Sequence, residues 1–200
     1  MFDERVRSVL PRAVTPIAGA LARAGVSPNA VSAAAFIVSL AAAWLVAAGH
    51  PRAGIVVWLV SRLCDGLDGV LARMTKRSTP FGGYLDITLD MAAYSIMLMG
   101  FAAAHPEHSL VWLVILAGYV LAITTTLALS NAAAAMGRTV GGTDRTFQFT
   151  PGIAEAGETT VMYVLWALLP GWLGWLTWIW AAMILATVAQ RSWLAARALR

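Results

Sequence analysis

Charge is what this 200-residue chain has least of: 12% of its residues are Asp, Glu, Lys or Arg and 60% are hydrophobic. A soluble domain is about a quarter charged and about half apolar, so this balance excludes an ordinary soluble core and calls for lipid. Cysteine is nearly absent as well. Cys64 stands alone, so an intrachain disulfide is impossible and nothing points to an oxidising compartment. The chain has no internal repeat and no low-complexity linker. It also lacks the continuous basic stripe of a nucleic-acid binder: its net charge of +4 sits in short segments between apolar blocks, so no nucleic-acid partner is expected. Met1 to Arg12 is too charged for a cleavable signal peptide, and the first span itself is expected to direct insertion.

What the chain does have is long apolar blocks. A helix needs about 20 apolar residues to cross the hydrocarbon core, and six stretches qualify: 28–48, 52–74, 81–104, 109–135, 152–169 and 172–194. Ahead of them, Phe2 to Ala24 mixes Arg5, Arg7, Arg12 and Arg23 with Val6, Val9, Leu10, Ile17 and Leu21. That mixture suits a helix lying in the interface, kinked or divided by Pro11 and Pro16. The expected fold is an all-α integral membrane protein: six transmembrane helices preceded by an N-terminal amphipathic interfacial helix. Residues 1–25 form the juxtamembrane helix and 26–200 the membrane domain.

Lys and Arg set the orientation. The N-terminal segment holds four Arg, the second-to-third loop Arg73, Lys76 and Arg77, the fourth-to-fifth loop Arg138 and Arg145, and the tail Arg191, Arg197 and Arg200. All of these fall on one side, which predicts both termini in the cytoplasm. The opposite loops carry only Arg52, and Arg62 lies within the second span. Ser27-Pro28 and Thr79-Pro80 each place a capping hydroxyl before a proline at the first helical position, marking two helix starts. Trp166, Trp172 and Trp175 flank the turn Leu169-Pro170-Gly171 and read as interfacial anchors. The alanine runs 33–35, 41–43 and 132–135 permit close helix packing.

Four acids fall inside predicted spans: Asp65, Asp68, Asp86 and Asp90. Each isolated carboxylate there costs about 2.5 to 3.5 kcal/mol on insertion scales. Their spacings, i, i+3 and i, i+4, put each pair on one helix face. At about 1.5 Å per residue, Asp65 and Asp90 lie at one depth, and Asp68 and Asp86 nearer the cytoplasmic ends. Four carboxylates in a confined site need cations, and clustered oxygens suit Mg²⁺, Mn²⁺ or Ca²⁺, one or two ions. Gly66, Gly69, Ala72, Gly82 and Gly83 leave room on the same faces, and Arg73 stands at the lip where it can reach phosphate oxygens. Together these residues point to diphosphate chemistry.

The run DGLDGVLARMTKRSTPFGGYLDITLD, Asp65 to Asp90, resembles the CDP-alcohol phosphotransferase signature D-x-x-D-G-x-x-A-R-x8-G-x3-D-x3-D at every fixed position. Ser27-Pro28-Asn29 and the six-span architecture are similar to the family as well. The resemblance implies transfer of a substituted phosphate, usually phosphatidyl from CDP-diacylglycerol, to a hydroxyl of a small polar acceptor, with release of CMP. It implies Mg²⁺ or Mn²⁺ held by Asp65, Asp68 and Asp86, and Asp90 as the base that also touches a metal. It further implies a donor pocket of Asn29, Asp68, Gly69, Ala72, Arg73, Thr79 and Gly82. A homodimer with contacts on the third and fourth spans is implied too, in a prokaryotic cytoplasmic membrane with the active site facing the cytoplasm.

The acceptor side is open at this stage. Arg138, Arg145, Glu155 and Glu158 are its candidates, although positive-inside topology and Glu–Arg pairing near the interface explain the same residues. Lys76 and Arg77 at the lip are similarly placed. Members that make phosphatidylglycerol phosphate or inositol phosphate lipids often carry a basic residue after the last motif aspartate, where this chain has Met91. The former also often have Pro after the third aspartate, where this chain has Ile87. His50, His105 and His108 fall in outer turns and read as solvated. Two other readings stand beside the transferase: a divalent-cation transporter and a catalytically inactive membrane scaffold. Transport calls for polar residues in both membrane halves or broken helices near the midplane, and the outer half here is almost purely apolar.

Overall fold

The computed structural model describes residues 14–137 and 152–199, and every regular element among them is helical. Residues 14–23 form α1. There follow α2 (Pro28–Ala47), α3 (Pro51–Met74), α4 (Pro80–Ala104), α5 (Ser109–Ala135), α6 (Ala156–Leu168) and α7 (Leu173–Ala198), with short 3-10 turns at Pro106–His108 and Pro170–Trp172. Four of these stretches, Pro28–Ala47, Pro80–Ala104, Pro106–Ala135 and Pro170–Ala198, are long and apolar enough to cross a membrane. The chain is an integral membrane protein. Of the two other predicted spans, α3 has the length but carries Arg52, Arg62, Asp65, Asp68 and Arg73, and α6 has only 13 residues, about 20 Å of helix.

The helix ends follow from local chemistry. Ser27 Oγ accepts from Ala30 N at 3.2 Å and Thr79 Oγ1 from Gly82 N at 3.0 Å, each with proline at the first helical position. These hydroxyls satisfy amide donors that the first turn leaves unpaired. At the other end of α2, Gly49 (φ +83°) takes the left-handed conformation and lets His50 N reach back to Leu45 O at 2.9 Å. The same closure ends α3 without glycine: Lys76 has φ 55°, and Arg77 N bonds Ala72 O at 2.9 Å. A left-handed L-residue costs about 1–2 kcal/mol, and the tight reversal it permits turns the chain from α3 back into α4, which packs on the same helix α2.

Chain contacts divide the molecule into two compact units, Met1–Pro106 and Glu107–Arg200. In the first, α2 is the hub, packed on both α3 and α4, while the backbones of α3 and α4 stay apart along most of their length. The reason is in the small residues. A Cβ on Gly54 would lie 2.9 Å from Ala42 O, and one on Gly100 only 2.6 Å from Ala43 O. The alanines at 41–43 therefore do allow the close approach that their size suggests. Val14 and Ala18 of α1 are buried with Val31, Leu67, Val70 and Leu71, which fixes the described part of the N-terminal helix against α2 and α3.

Gly100→Ala is expected to destabilise the protein by about 1–3 kcal/mol, the usual cost of overpacking. The new methyl meets backbone rather than a movable side chain. A thermal melt of the variant in detergent tests this, and a midpoint equal to that of the wild type would show that α2 and α4 do not need the close crossing.

In the second unit, Tyr119 of α5 is hydrogen-bonded to Tyr163 of α6 (3.1 Å) and accepts from Trp180 Nε1 of α7 (3.0 Å). Trp166 is buried, edge-on to Trp112 at 5.2 Å and beside Tyr163 at 5.3 Å. It is a core residue and not the interfacial anchor its position implied, whereas Trp172 and Trp175 are exposed as anchors need to be. Arg191, counted above with the tail, is buried within α7 and donates from Nη1 to Ala122 O at 3.1 Å. The expected helix start near 152 moves to Ala156. Thr187 Oγ1 accepts from Ile153 N (3.1 Å) and Ala154 N (2.9 Å), and these bonds hold the backbone in a bend before α6.

Candidate active site

The α3–α4 hairpin sets the site. Asp68 lies six residues before the end of α3 and Asp86 six residues after the start of α4, so each sits about 9 Å along its helix from the connecting loop. The carboxylates of Asp65, Asp68 and Asp86 converge, each offering an oxygen within 4.8 Å of the others. Asp68 is buried, Asp65 half-buried and Asp86 exposed, so the cluster runs from the protein interior to an open side.

Asp68 is fastened to the hub helix: Ser32 Oγ, one turn along α2 from Asn29, donates to its Oδ2. The same first turn of α2 meets the start of α4. Asn29 Oδ1 stands 3.4 Å, and Thr79 Oγ1 3.2 Å, from the point a Cβ on Gly82 would occupy. Asn29, Thr79 and Gly82 thus form one tight corner, which any residue larger than glycine at 82 would crowd. Arg73 folds back along α3, its Nη1 3.4 Å from the place of a Cβ on Gly69, and its side chain is exposed. Ala72 lies one turn beyond Asp68, half-buried.

Asp90 is placed differently from the other three acids. One turn deeper on α4, it accepts from Arg62 Nη1, and that nitrogen is also 3.7 Å from Asp65 Oδ2. Arg62 is boxed in: its guanidinium lies 4.5 Å from the Trp58 ring centroid and 5.3 Å from that of Tyr94. Its Nη2 donates to Ser61 Oγ at 3.1 Å, and Ser61 in turn donates to Ala35 O of α2 at 2.8 Å. Arg62 and Ser32 are site residues that motif reading passes over. The only sequence signal for Arg62 is its position, an arginine inside a span and three residues before an aspartate.

The donor set fits a hard divalent cation. Mg²⁺ takes oxygen ligands at about 2.0–2.1 Å, so oxygens on opposite sides of it stand about 4.2 Å apart. The three carboxylate oxygens lie within 4.8 Å of one another, close to that span. Of the acceptor candidates, Arg138 and Arg145 lie outside the described residues. Glu155 and Glu158 belong to the second unit, where Glu155 Oε1 accepts from Gly152 N at 2.9 Å and Glu158 is half-buried in the first turn of α6.

Residues 25–189 match the CDP-alcohol phosphatidyltransferase family. The chain is 32% identical over 179 residues to the inner membrane protein YnjF of Escherichia coli (strain K12), covering 86% of this chain and 84% of that one. The chain belongs to this family. Its fold is that of the family's phosphatidylinositol phosphate synthase from Mycobacterium tuberculosis (PgsA1). The structure with CDP-DAG bound superposes with a TM-score of 0.72 at 25% identity over 92% of this chain and 94% of that one. The structure of the same enzyme with manganese and citrate gives 0.74 at 24% identity over 91% and 88%. The matched region contains all four aspartates of the α3–α4 hairpin.

Proposed function

We propose that this protein transfers a phosphatidyl group from CDP-diacylglycerol to the hydroxyl of a small polar alcohol, releasing CMP, at the cytoplasmic face of the membrane. The observation that carries the reading is the convergence of Asp65, Asp68 and Asp86 beside the separately held Asp90. Asp65, Asp68 and Asp86 would hold Mg²⁺ or Mn²⁺, which when bound supplies charge neutralisation on the diphosphate and on the departing CMP. Arg73 reaches phosphate oxygens from the lip, and Asn29, Thr79 and Gly82 close the donor pocket at the starts of α2 and α4. The acceptor oxygen forms a bond to the phosphatidyl phosphorus, the bond from that phosphorus to the CMP oxygen breaks, and the hydroxyl proton passes to the Asp90 carboxylate.

The same reading takes α2 to α7 as six spans, with α1 belonging to an interfacial segment and both termini in the cytoplasm. The excess of Lys and Arg on one set of loops supports it. So does the polar face of α3, which lowers that helix's hydropathy while pointing its acids at α4.

The test is CMP release by purified protein in detergent, with CDP-diacylglycerol, Mg²⁺ or Mn²⁺, and a panel of inositol 1-phosphate, glycerol 3-phosphate, inositol, serine and choline. Turnover is expected with one acceptor class and is expected to stop when EDTA removes the metal. No CMP from any member of the panel would rule out CDP-diacylglycerol as donor with these acceptors, and metal-independent release would rule out the proposed site.

A further inference from the structure

The four aspartates are unequal because one of them already has a resident cation. Arg62 donates to Asp90 and stands 3.7 Å from Asp65. It is not a surface arginine that drifts into contact. Trp58, one turn before it on α3, and Tyr94, one turn after Asp90 on α4, are both buried and place ring faces within cation–π range of the guanidinium. Ser61 ties its other terminal nitrogen to α2. Three helices therefore hold one positive charge at a fixed place, and such desolvated, stacked sites favour arginine over lysine.

We propose that Arg62 is the permanent counter-ion of the deep end of the aspartate cluster. It positions Asp90 and takes the place of a second divalent cation, so that the donor-free protein binds one metal ion, on Asp65, Asp68 and Asp86, and not two. The inference rests on the reading of these three aspartates as a metal site. Its physical basis is charge and space. A second ion bridging Asp65 and Asp90 would have to enter the position that the guanidinium occupies, and two like charges at that range repel strongly in a partly dry site. Asp90 is correspondingly withdrawn from the three converging carboxylates and kept as an oriented acceptor for a proton.

Arg62 acts through Asp90 and is a positioning residue, so its test must read something other than rate. Manganese binding to the donor-free protein in detergent, by equilibrium dialysis with electron paramagnetic resonance of the bound ion, is expected to give one equivalent with the spectrum of an isolated ion. R62Q removes the charge and is expected to take up a second equivalent, with the broadening of two coupled ions. R62K keeps the charge and is expected to stay at one equivalent. D90N leaves the proposed ligands intact and is also expected to stay at one, so the inference can fail even if R62Q does not fold. Two equivalents in the wild type, one in R62Q, two in R62K, or loss of the single ion in D90N would each overturn the role of Arg62 while leaving the metal site standing. No bound manganese in the wild type would overturn the metal site and the inference together.

Discussion

Asp90→Asn is expected to lower phosphatidyl transfer by about 10²–10⁴-fold, the usual contribution of a positioned general base, while CDP-diacylglycerol and manganese still bind. The substitution is nearly isosteric, and the amide oxygen can still accept from Arg62, so the box of Trp58, Tyr94 and Ser61 around the guanidinium has no reason to rearrange. What it removes is the capacity to take a proton. The effect should therefore fall on kcat rather than on the KM for the donor, because the lost interaction develops only as the acceptor hydroxyl attacks. Single-turnover CMP release, measured beside donor binding, separates the two. Transfer near the wild-type rate would remove Asp90 as the base and leave it as a partner of Arg62 alone.

The contrast between Asp90 and its neighbours marks how far the sequence could be read. Spacing alone placed Asp65 with Asp68 and Asp86 with Asp90 on common faces, and equal distance from the loop brought Asp68 and Asp86 together with Asp65 one turn behind, because helical geometry and a short connection are local properties. Proline with a preceding hydroxyl marked the starts of α2 and α4 for the same reason. What stayed hidden depends on contacts between distant segments. Ser32 on Asp68 and Thr187 on the backbone at 153–154 are side chains reaching across elements, and no pattern within either segment announces them. Trp166 faces inward, against Trp112, on a stretch of α6 from Val161 to Leu168 that carries no charged residue to mark one face from another. For such a helix hydropathy does not distinguish the face toward lipid from the face toward protein. Arg62 was visible as a charge inside a span, and a partner was therefore required. That the partner is Asp90, 28 residues further along the chain and on the next helix, is tertiary information.

Asp68→Asn is expected to weaken manganese binding by more than about 100-fold. Loss of a partner that merely orients a ligand typically costs 10–100-fold, and Asp68 is itself one of the three converging carboxylates. Transfer should fall by about a thousandfold or more, since charge stabilisation by a bound metal is worth several kcal/mol and each 1.36 kcal/mol is a factor of ten. Among the three, Asp68 is the most informative choice because it is the buried one and has one oxygen already committed to Ser32. Asparagine can keep that bond, since its carbonyl still accepts from the Ser32 hydroxyl, so the join between α2 and α3 survives and the variant should fold. What it cannot supply is the negative charge. Ser32→Ala separates orientation from charge: it leaves the carboxylate but frees it to rotate, and manganese affinity is then expected to drop only by about 10–100-fold. Wild-type affinity in Asp68→Asn would mean that Asp68 serves the packing of α2 on α3 and not the metal, whereas a graded loss from Ser32→Ala to Asp68→Asn is the signature of a ligand held in place by its neighbour.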